Sequence, residues 1–216
     1  MPSVILCPRL AVLASGGGTT LQNLLDRVAA GTLDARIVGV VASKPDAFAL
    51  ERARAAGVPT RVAPPTPRAD FSARVFEAVR QWDVDFVLLA GWLHLLAVPD
   101  DFRLRVLNIH PSLLPAFGGK GMYGRRVHEA ALAAGVRVSG CTVHFIDDTY
   151  DTGPIVEQRA VEIAACATPE EVARAVFAAE CEAYPAAIRR VAAGGWQLVG
   201  RRLVTSPGAA IGEPPA

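Results

Sequence analysis

Short apolar runs alternate with amphipathic segments through the first half of the chain. Each run is bounded by turn residues and is apolar at consecutive positions, which is typical of strands buried on both faces of a sheet. The segments between the runs repeat their apolar residues at helical spacing. The strands predicted in this way are Arg9–Ala14, Arg36–Ala42, 60–63, 86–90 and Val106–His110. Strands that alternate with helices predict an α/β fold with a doubly wound, mostly parallel sheet.

The pattern changes after the middle of the chain. Residues 139–146 and 155–163 alternate apolar and polar positions, which predicts two neighbouring antiparallel strands. A helix is predicted over 168–193 because Thr168 is followed by proline at the first helical position, and a terminal hairpin follows it. We therefore expect a single domain over residues 1–204, with antiparallel strands near its C-terminal part, and a flexible tail over 205–216.

Two polar side chains interrupt the strand in the middle of the chain. Asn108 and His110 are two residues apart, so on a strand both side chains leave the same face. Pro111 cannot donate a ladder hydrogen bond, and it biases His110 towards an extended backbone, so the strand should end there. Ligands bind at the carboxyl ends of strands in open α/β sheets. The two residues are therefore candidate site residues, and capping of neighbouring backbone is the alternative.

A glycine turn, SGGGTT, follows the first strand and leads into a helix. Glycines let the backbone approach a ligand closely, and a helix start offers unpaired N–H groups and a positive dipole end. A phosphate group would suit this place, although a simple helix-capping turn is the alternative. The pattern is neither GxGxxG nor a P-loop with lysine, so neither a dinucleotide nor a nucleoside triphosphate is indicated.

Composition narrows the class of protein. Of the 216 residues, 51% are hydrophobic and 20% are charged. The net charge is +1, so no excess of basic residues indicates binding to nucleic acid or to an anionic membrane. The four cysteines form no CxxC motif and have no regular spacing with histidine, which favours free thiols and no metal site. No stretch approaches the roughly 18 apolar residues of a membrane span. The first residues of the sequence lack the positively charged N-terminal region of a signal peptide. We expect a cytoplasmic protein.

The remaining histidines and one aspartate complete the candidate chemistry. Asp151 begins a turn sequence, DTGP, that can fold back over the end of the strand that carries His144. An aspartate near a histidine favours imidazolium and itself stays ionised. Together with Asn108 and His110, these groups suit a reaction that forms a tetrahedral oxyanion and moves a proton, without a covalent enzyme adduct. His128 is expected on a solvated helix surface.

Several motifs, in order along the chain, resemble the phosphoribosylglycinamide formyltransferase family. They are SGGGTTLQNLL, SKPDAFALERARAAGVPT, AGWLHLL, LNIHPSLLPAF, GCTVHFID and YDTGPIV, and they cover about residues 9–190. The resemblance implies a Rossmann-like formyltransferase fold. It also implies transfer of the formyl group of 10-formyltetrahydrofolate to the amine of 5′-phosphoribosylglycinamide in purine biosynthesis. We expect small-molecule substrates, no nucleic-acid or membrane partner, and a monomer or a homodimer.

The resemblance implies roles for individual residues as well. Asn108 and His110 would stabilise the oxyanion, Asp151 would relay the proton and help to keep His110 charged, and His144 would support them. The implied phosphoribosylglycinamide-binding residues are Gly16, Gly17, Gly18, Thr19, Thr20 and Glu180. The implied folate-binding residues are Arg68, Trp92, Leu93, His94, Leu95, Leu96, Asn108 and Asp147. For Glu180, a plain surface charge on a helix is the alternative.

Two positions depart from the family's more familiar pattern. Thr20 stands where an asparagine is more usual in the phosphate loop, so one amide contact is lost. His94 stands where the family often has arginine, so a basic contact to the folate is weakened.

Three other functions are compatible with the same motifs. One is formyl transfer to a different amine, such as that of a sugar nucleotide, and the phosphate loop argues against it. Another is a ligand-binding protein without activity, against which the complete set of Asn108, His110 and Asp151 argues. The third is hydrolysis of formyltetrahydrofolate.

Overall fold

The computed structural model of the chain describes residues 2–67 and 69–205. Its strands are β1 (Arg9–Ala14), β2 (Arg36–Ala42), β3 (Thr60–Val62), β4 (Phe86–Leu89), β5 (Val106–His110), β6 (Val138–Phe145), β7 (Ile155–Glu162), β8 (Trp196–Val199) and β9 (Arg202–Thr205). Its helices are α1 (Thr19–Ala29), α2 (Phe48–Ala55), α3 (Phe71–Arg80), α4 (Arg125–Ala133) and α5 (Pro169–Ala192), with a short 3-10 helix at Asp100–Phe102.

All nine strands join one sheet in the order β3-β2-β1-β4-β5-β6-β7-β9-β8. Neighbours from β3 to β5 are parallel, whereas β5, β6 and β7 pair in antiparallel fashion, as do β8 and β9. This confirms the α/β, doubly wound, mostly parallel sheet that the sequence predicts. The strand order reverses between β1 and β4, and the crevice at the carboxyl ends of strands on either side of such a reversal is where ligands bind.

Helices cover both faces of the sheet, which is why β1 is apolar at consecutive positions. Leu10 and Val12 pack on one face with residues of α1 and α5, and Ala11 and Leu13 pack on the other face with residues of α3. All four side chains are fully buried. Residues on alternate sides of a strand thus build two separate apolar layers around one rigid sheet.

The antiparallel pairing of β5 with β6 sets the register of the site residues. Asn108 lies directly opposite His144, and His110 lies opposite Thr142. Residues in directly opposite positions have side chains on the same face of the sheet and close together. Two parts of the chain that are far apart in sequence therefore contribute to one cluster at the end of β5.

The sequence-based boundaries differ from the observed ones mainly at the ends of elements. Of the predicted tail, Thr205 belongs to β9, and 206–216 lie outside the described residues, so a tail there and the domain limits stay predictions. None of the helices in the described ranges is both long and apolar enough to span a bilayer.

A buried threonine connects β6 to the loop after β5, and its replacement tests this connection. The Thr142 hydroxyl donates to the Ser112 carbonyl at 2.7 Å and accepts from the Leu114 amide and from Gln158 Nε2, each at 3.0 Å. We expect Thr142→Val to lower the free energy of unfolding by about 2–3 kcal/mol, because it leaves buried backbone groups unpaired. Urea denaturation measures this loss.

The matched control is Thr60→Val on β3. Thr60 is partly exposed, and its hydroxyl has no hydrogen bond within residues 2–67 and 69–205. We expect a change of about 0.5 kcal/mol or less there. Equal effects of the two replacements would contradict the structural role given to the Thr142 hydroxyl.

Candidate active site

A cavity of about 580 Å³ opens at the carboxyl ends of β4 and β5. One wall is the loop after β4, residues 92–96, and another is the loop after β6, residues 146–151. The segment 119–126 and the first half of α5 form the remaining walls. Asn108, His110 and His144 line this cavity, so these three side chains of β5 and β6 face the same space.

Asn108 and His144 are joined by a hydrogen bond across the two strands. His144 donates from Nδ1 to the Phe145 carbonyl at 2.8 Å, which fixes one proton on that nitrogen. The other nitrogen, Nε2, lies 3.1 Å from Asn108 Nδ2 and accepts from it in the neutral ring. One N–H of the Asn108 amide is thereby fixed, and the second N–H remains for a ligand.

Asp151 lies between the two imidazoles. Its Oδ2 is 3.5 Å from His110 Nδ1, and its Oδ1 is 3.6 Å from His144 Nε2. The same Oδ2 accepts a hydrogen bond from the Gly119 amide at 2.8 Å. The side chain is only 10% exposed, so these contacts are little screened by solvent. The carboxylate is placed to exchange a proton with His110 Nδ1 or with a ligand between the two rings.

The loop that carries Asp151 is held against β6 by a close backbone approach. A Cβ added to Gly153 would lie 1.8 Å from the Phe145 carbonyl oxygen, so only glycine fits there. Asp151 itself has a φ of +58°, in the left-handed region that aspartate tolerates better than most residues. The sequence DTGP therefore folds back over the strand end, as its turn residues predict.

His110 is held in one orientation by the backbone of the next loop. Its Nε2 donates to the Phe117 carbonyl at 2.9 Å, so Nδ1 is the nitrogen that faces Asp151. Burial lowers the pKa of His110, and it outweighs the opposing effects of the Asp151 charge and the bond to Phe117. Asp151 thus favours the charged ring, as expected, but desolvation of the ring has the larger effect on the pKa.

The pKa of the Asp151 carboxyl lies below its usual value. Burial by itself raises that pKa, but the neighbouring His144 and His110 rings and the Gly119 amide together outweigh it. Asp151 is therefore ionised at neutral pH. The site consequently combines a carboxylate base, a neutral imidazole and an amide donor in one cavity.

The glycine turn lies beside this cavity, between β1 and α1. Gly18 has a φ of 70° and precedes the first residue of α1, whereas Gly16 and Gly17 are exposed. Thr20 is the residue of this turn that lines the cavity. Glu180 of α5 lines it as well, and burial raises the pKa of its carboxyl to about 7. Glu180 is therefore more than a solvated surface charge.

The loop after β4 supplies an aromatic and aliphatic wall. Trp92 is buried and stacks on Phe71 with ring centroids 5.7 Å apart, and the His94 ring meets both edge-on. Leu93 and Leu95 are exposed at the cavity, whereas Leu96 is buried. Burial and the nearby Lys44 charge lower the pKa of His94, which favours its neutral form.

Two further folate-side predictions have different outcomes. Asp147 lies on the cavity wall, and its carboxylate accepts from the Thr149 amide and the Thr152 hydroxyl. It therefore organises its own loop. Arg68 lies outside the described residues.

The prediction that His128 is solvated is wrong. The side chain is 5% exposed and lines the cavity, and its Nδ1 has no hydrogen-bond partner among the residues described. Burial and the neighbouring His110 lower its pKa. The signal that sequence reasoning missed is the buried face of α4, which Val127 and Ala131 define at a spacing of four.

Comparisons with known proteins show the family to which the chain is similar. The family model described as formyl transferase matches residues 8–188. The chain is 43% identical over 182 residues to phosphoribosylglycinamide formyltransferase, chloroplastic, of Arabidopsis thaliana, which covers 82% of this chain and 62% of that protein. It is 35% identical to phosphoribosylglycinamide formyltransferase of Bacillus subtilis (strain 168), with 85% of this chain and 94% of that protein covered. The match thus spans less than two thirds of the plant relative's length.

A solved structure is similar along nearly its whole length. The crystal structure of glycinamide ribonucleotide transformylase 1 from Symbiobacterium toebii superposes with a TM-score of 0.84 at 42% identity. The alignment covers 91% of this chain and 93% of that one. The similarity therefore extends over most of the fold.

Proposed function

Because the chain belongs to the formyl transferase family, we propose that it transfers the formyl group of 10-formyltetrahydrofolate to the amine of 5′-phosphoribosylglycinamide. The observation that carries the proposal is the position of Asp151. Its carboxylate lies 3.5 Å from His110 and 3.6 Å from His144, on the wall of a cavity that also holds Asn108. Acyl transfer to an amine needs a proton acceptor and oxyanion donors in such proximity.

The two substrates would occupy opposite sides of the cavity. The aromatic and aliphatic wall at residues 92–96 suits the flat ring system of the folate. The side with Thr20 and Glu180 suits the aminoribonucleotide, because the glycine turn and the start of α1 offer N–H groups to its phosphate. The amine and the formyl carbon would then meet at Asn108 and His110.

The reaction can be written with these residues alone. The amine nitrogen attacks the formyl carbon, and the carbonyl oxygen becomes an oxyanion that the free N–H of Asn108 stabilises. The amine loses one proton to the Asp151 carboxylate, directly or through water. When that proton occupies Nδ1 of His110, the imidazolium offsets the oxyanion charge. Collapse of the tetrahedral intermediate breaks the bond to N10 of tetrahydrofolate, and N10 takes the proton.

A single assay tests the proposed function. The protein is incubated with 10-formyltetrahydrofolate and 5′-phosphoribosylglycinamide, and release of tetrahydrofolate and the formylated ribonucleotide are followed together. We expect equal amounts of the two products. Formate in place of the formylated ribonucleotide would identify a hydrolase instead. Turnover only with another amine, such as that of a sugar nucleotide, would also overturn the proposal.

A further inference from the structure

Helix α2 packs directly against the glycine turn. The Ala49 amide donates to the Gly16 carbonyl at 3.1 Å. A Cβ added to Gly18 would lie 2.8 Å from Ala49 Cα, so the two backbones touch. One turn further along α2, Arg52 donates from Nε to the Gly17 carbonyl at 2.9 Å. Two successive carbonyls of the turn are therefore held by α2.

These contacts fix the direction of the amides in the turn. In a trans peptide the carbonyl and the following N–H point in opposite directions. The N–H groups of Gly17 and Gly18 consequently point away from α2, and neither has a hydrogen-bond partner within 2–67 and 69–205. A Cβ added to Gly16 or Gly17 would meet nothing within 4 Å, so this side of the turn is open. Successive free amides followed by a helix start form a concavity that binds anions.

Arg52 itself is held rigidly, and its charge is not neutralised. Its Nη1 donates to Gln22 Oε1 of α1 at 2.9 Å, and its guanidinium lies over the Phe48 ring at 4.9 Å. No carboxylate of the described ranges lies within ion-pair distance of it. The guanidinium thus places a fixed positive charge beside the turn and links α2 to both the turn and α1.

We propose that Arg52 is a positioning residue for phosphate recognition. By holding the Gly17 carbonyl it directs the Gly18 amide towards the phosphate of the amine substrate, and its unpaired charge favours a phosphate dianion there. Arg52 does not line the cavity and acts through the turn. The assignment rests on the proposed function, since it takes the phosphate of 5′-phosphoribosylglycinamide as the anion.

Kinetics separate this role from a general effect on the fold. In Arg52→Gln we expect the KM for 5′-phosphoribosylglycinamide to rise about tenfold, whereas kcat and the KM for 10-formyltetrahydrofolate change by less than about twofold. Arg52→Lys should recover part of the loss, because lysine keeps the charge but cannot bond Gly17 and Gln22 together. The control is Arg54→Gln, which removes the same charge from an exposed position on α2 and should leave all three constants unchanged.

A binding measurement keeps the test independent of turnover. Ribose 5-phosphate is titrated into ¹⁵N-labelled protein, with ribose as the control, and the amide signals of Gly17 and Gly18 are followed. We expect ribose 5-phosphate to shift both signals, and we expect its dissociation constant to be about tenfold larger in Arg52→Gln. Equal affinity in the two proteins, or no response of these amides in the wild type, would overturn the role of Arg52. If ribose 5-phosphate binds as expected but no formyl group is transferred, the result contradicts the proposed function and leaves the role of Arg52 intact.

Discussion

Replacing Asp151 by asparagine is expected to lower kcat by about 10³-fold, while the KM values of both substrates change by no more than a few-fold. Asparagine keeps the size of the side chain and can still accept the hydrogen bond from the Gly119 amide. It cannot take the proton that the attacking amine loses. It also removes the negative charge that opposes the effect of burial on His110, so the pKa of His110 should fall further.

The pH dependence of kcat/KM gives a second readout for the same replacement. Asp151 must be ionised to act as a base, and its pKa is lowered, so protonation of Asp151 should reduce wild-type activity only below the usual pH range for aspartate. Asp151→Asn should lose this acid limb. Asp148→Asn, which changes an exposed carboxylate on the same loop, should retain both the rate and the limb. Normal turnover in Asp151→Asn would exclude the assigned role.

The sheet could be predicted from the sequence because its signals are local. The apolar run at β1 indicates a strand that is buried on both faces. At β6, apolar and polar residues alternate instead, which indicates a different strand environment. The pairing of Asn108 with His144 could not be predicted in this way. The register decides which residues of β5 and β6 lie opposite each other, and the sequence of either strand alone does not specify it.

The candidate site was predictable in its residue types and less so in its electrostatics. The turn sequence after β6 indicated that Asp151 folds back, but the distances to His110 and His144 depend on the close approach of Gly153 to Phe145. The net lowering of the His110 pKa was not predicted, because it is a balance between desolvation and a neighbouring carboxylate. That balance depends on how tightly the surrounding loops pack, which no local pattern reports.

The loss of the Asn108 amide should have the second-largest effect on activity. Asn108→Leu keeps the approximate volume but removes the N–H that would stabilise the oxyanion, and we expect kcat to fall by about 10²–10³-fold. The KM for 10-formyltetrahydrofolate should change less than kcat, because the oxyanion exists only in the transition state and the intermediate.

Asn108→Leu also breaks the hydrogen bond to His144 Nε2, so its effect must be separated from a loss of order in that ring. Asn108→His serves this purpose, because a second imidazole can offer an N–H to the cavity. We expect it to retain more kcat than Asn108→Leu, with similar urea midpoints for both variants. If the two variants lose equal activity, the donor role fails and Asn108 acts only by orienting His144. If Asn108→Leu alone unfolds at lower urea, the comparison of kcat is repeated at a temperature where both variants are fully folded.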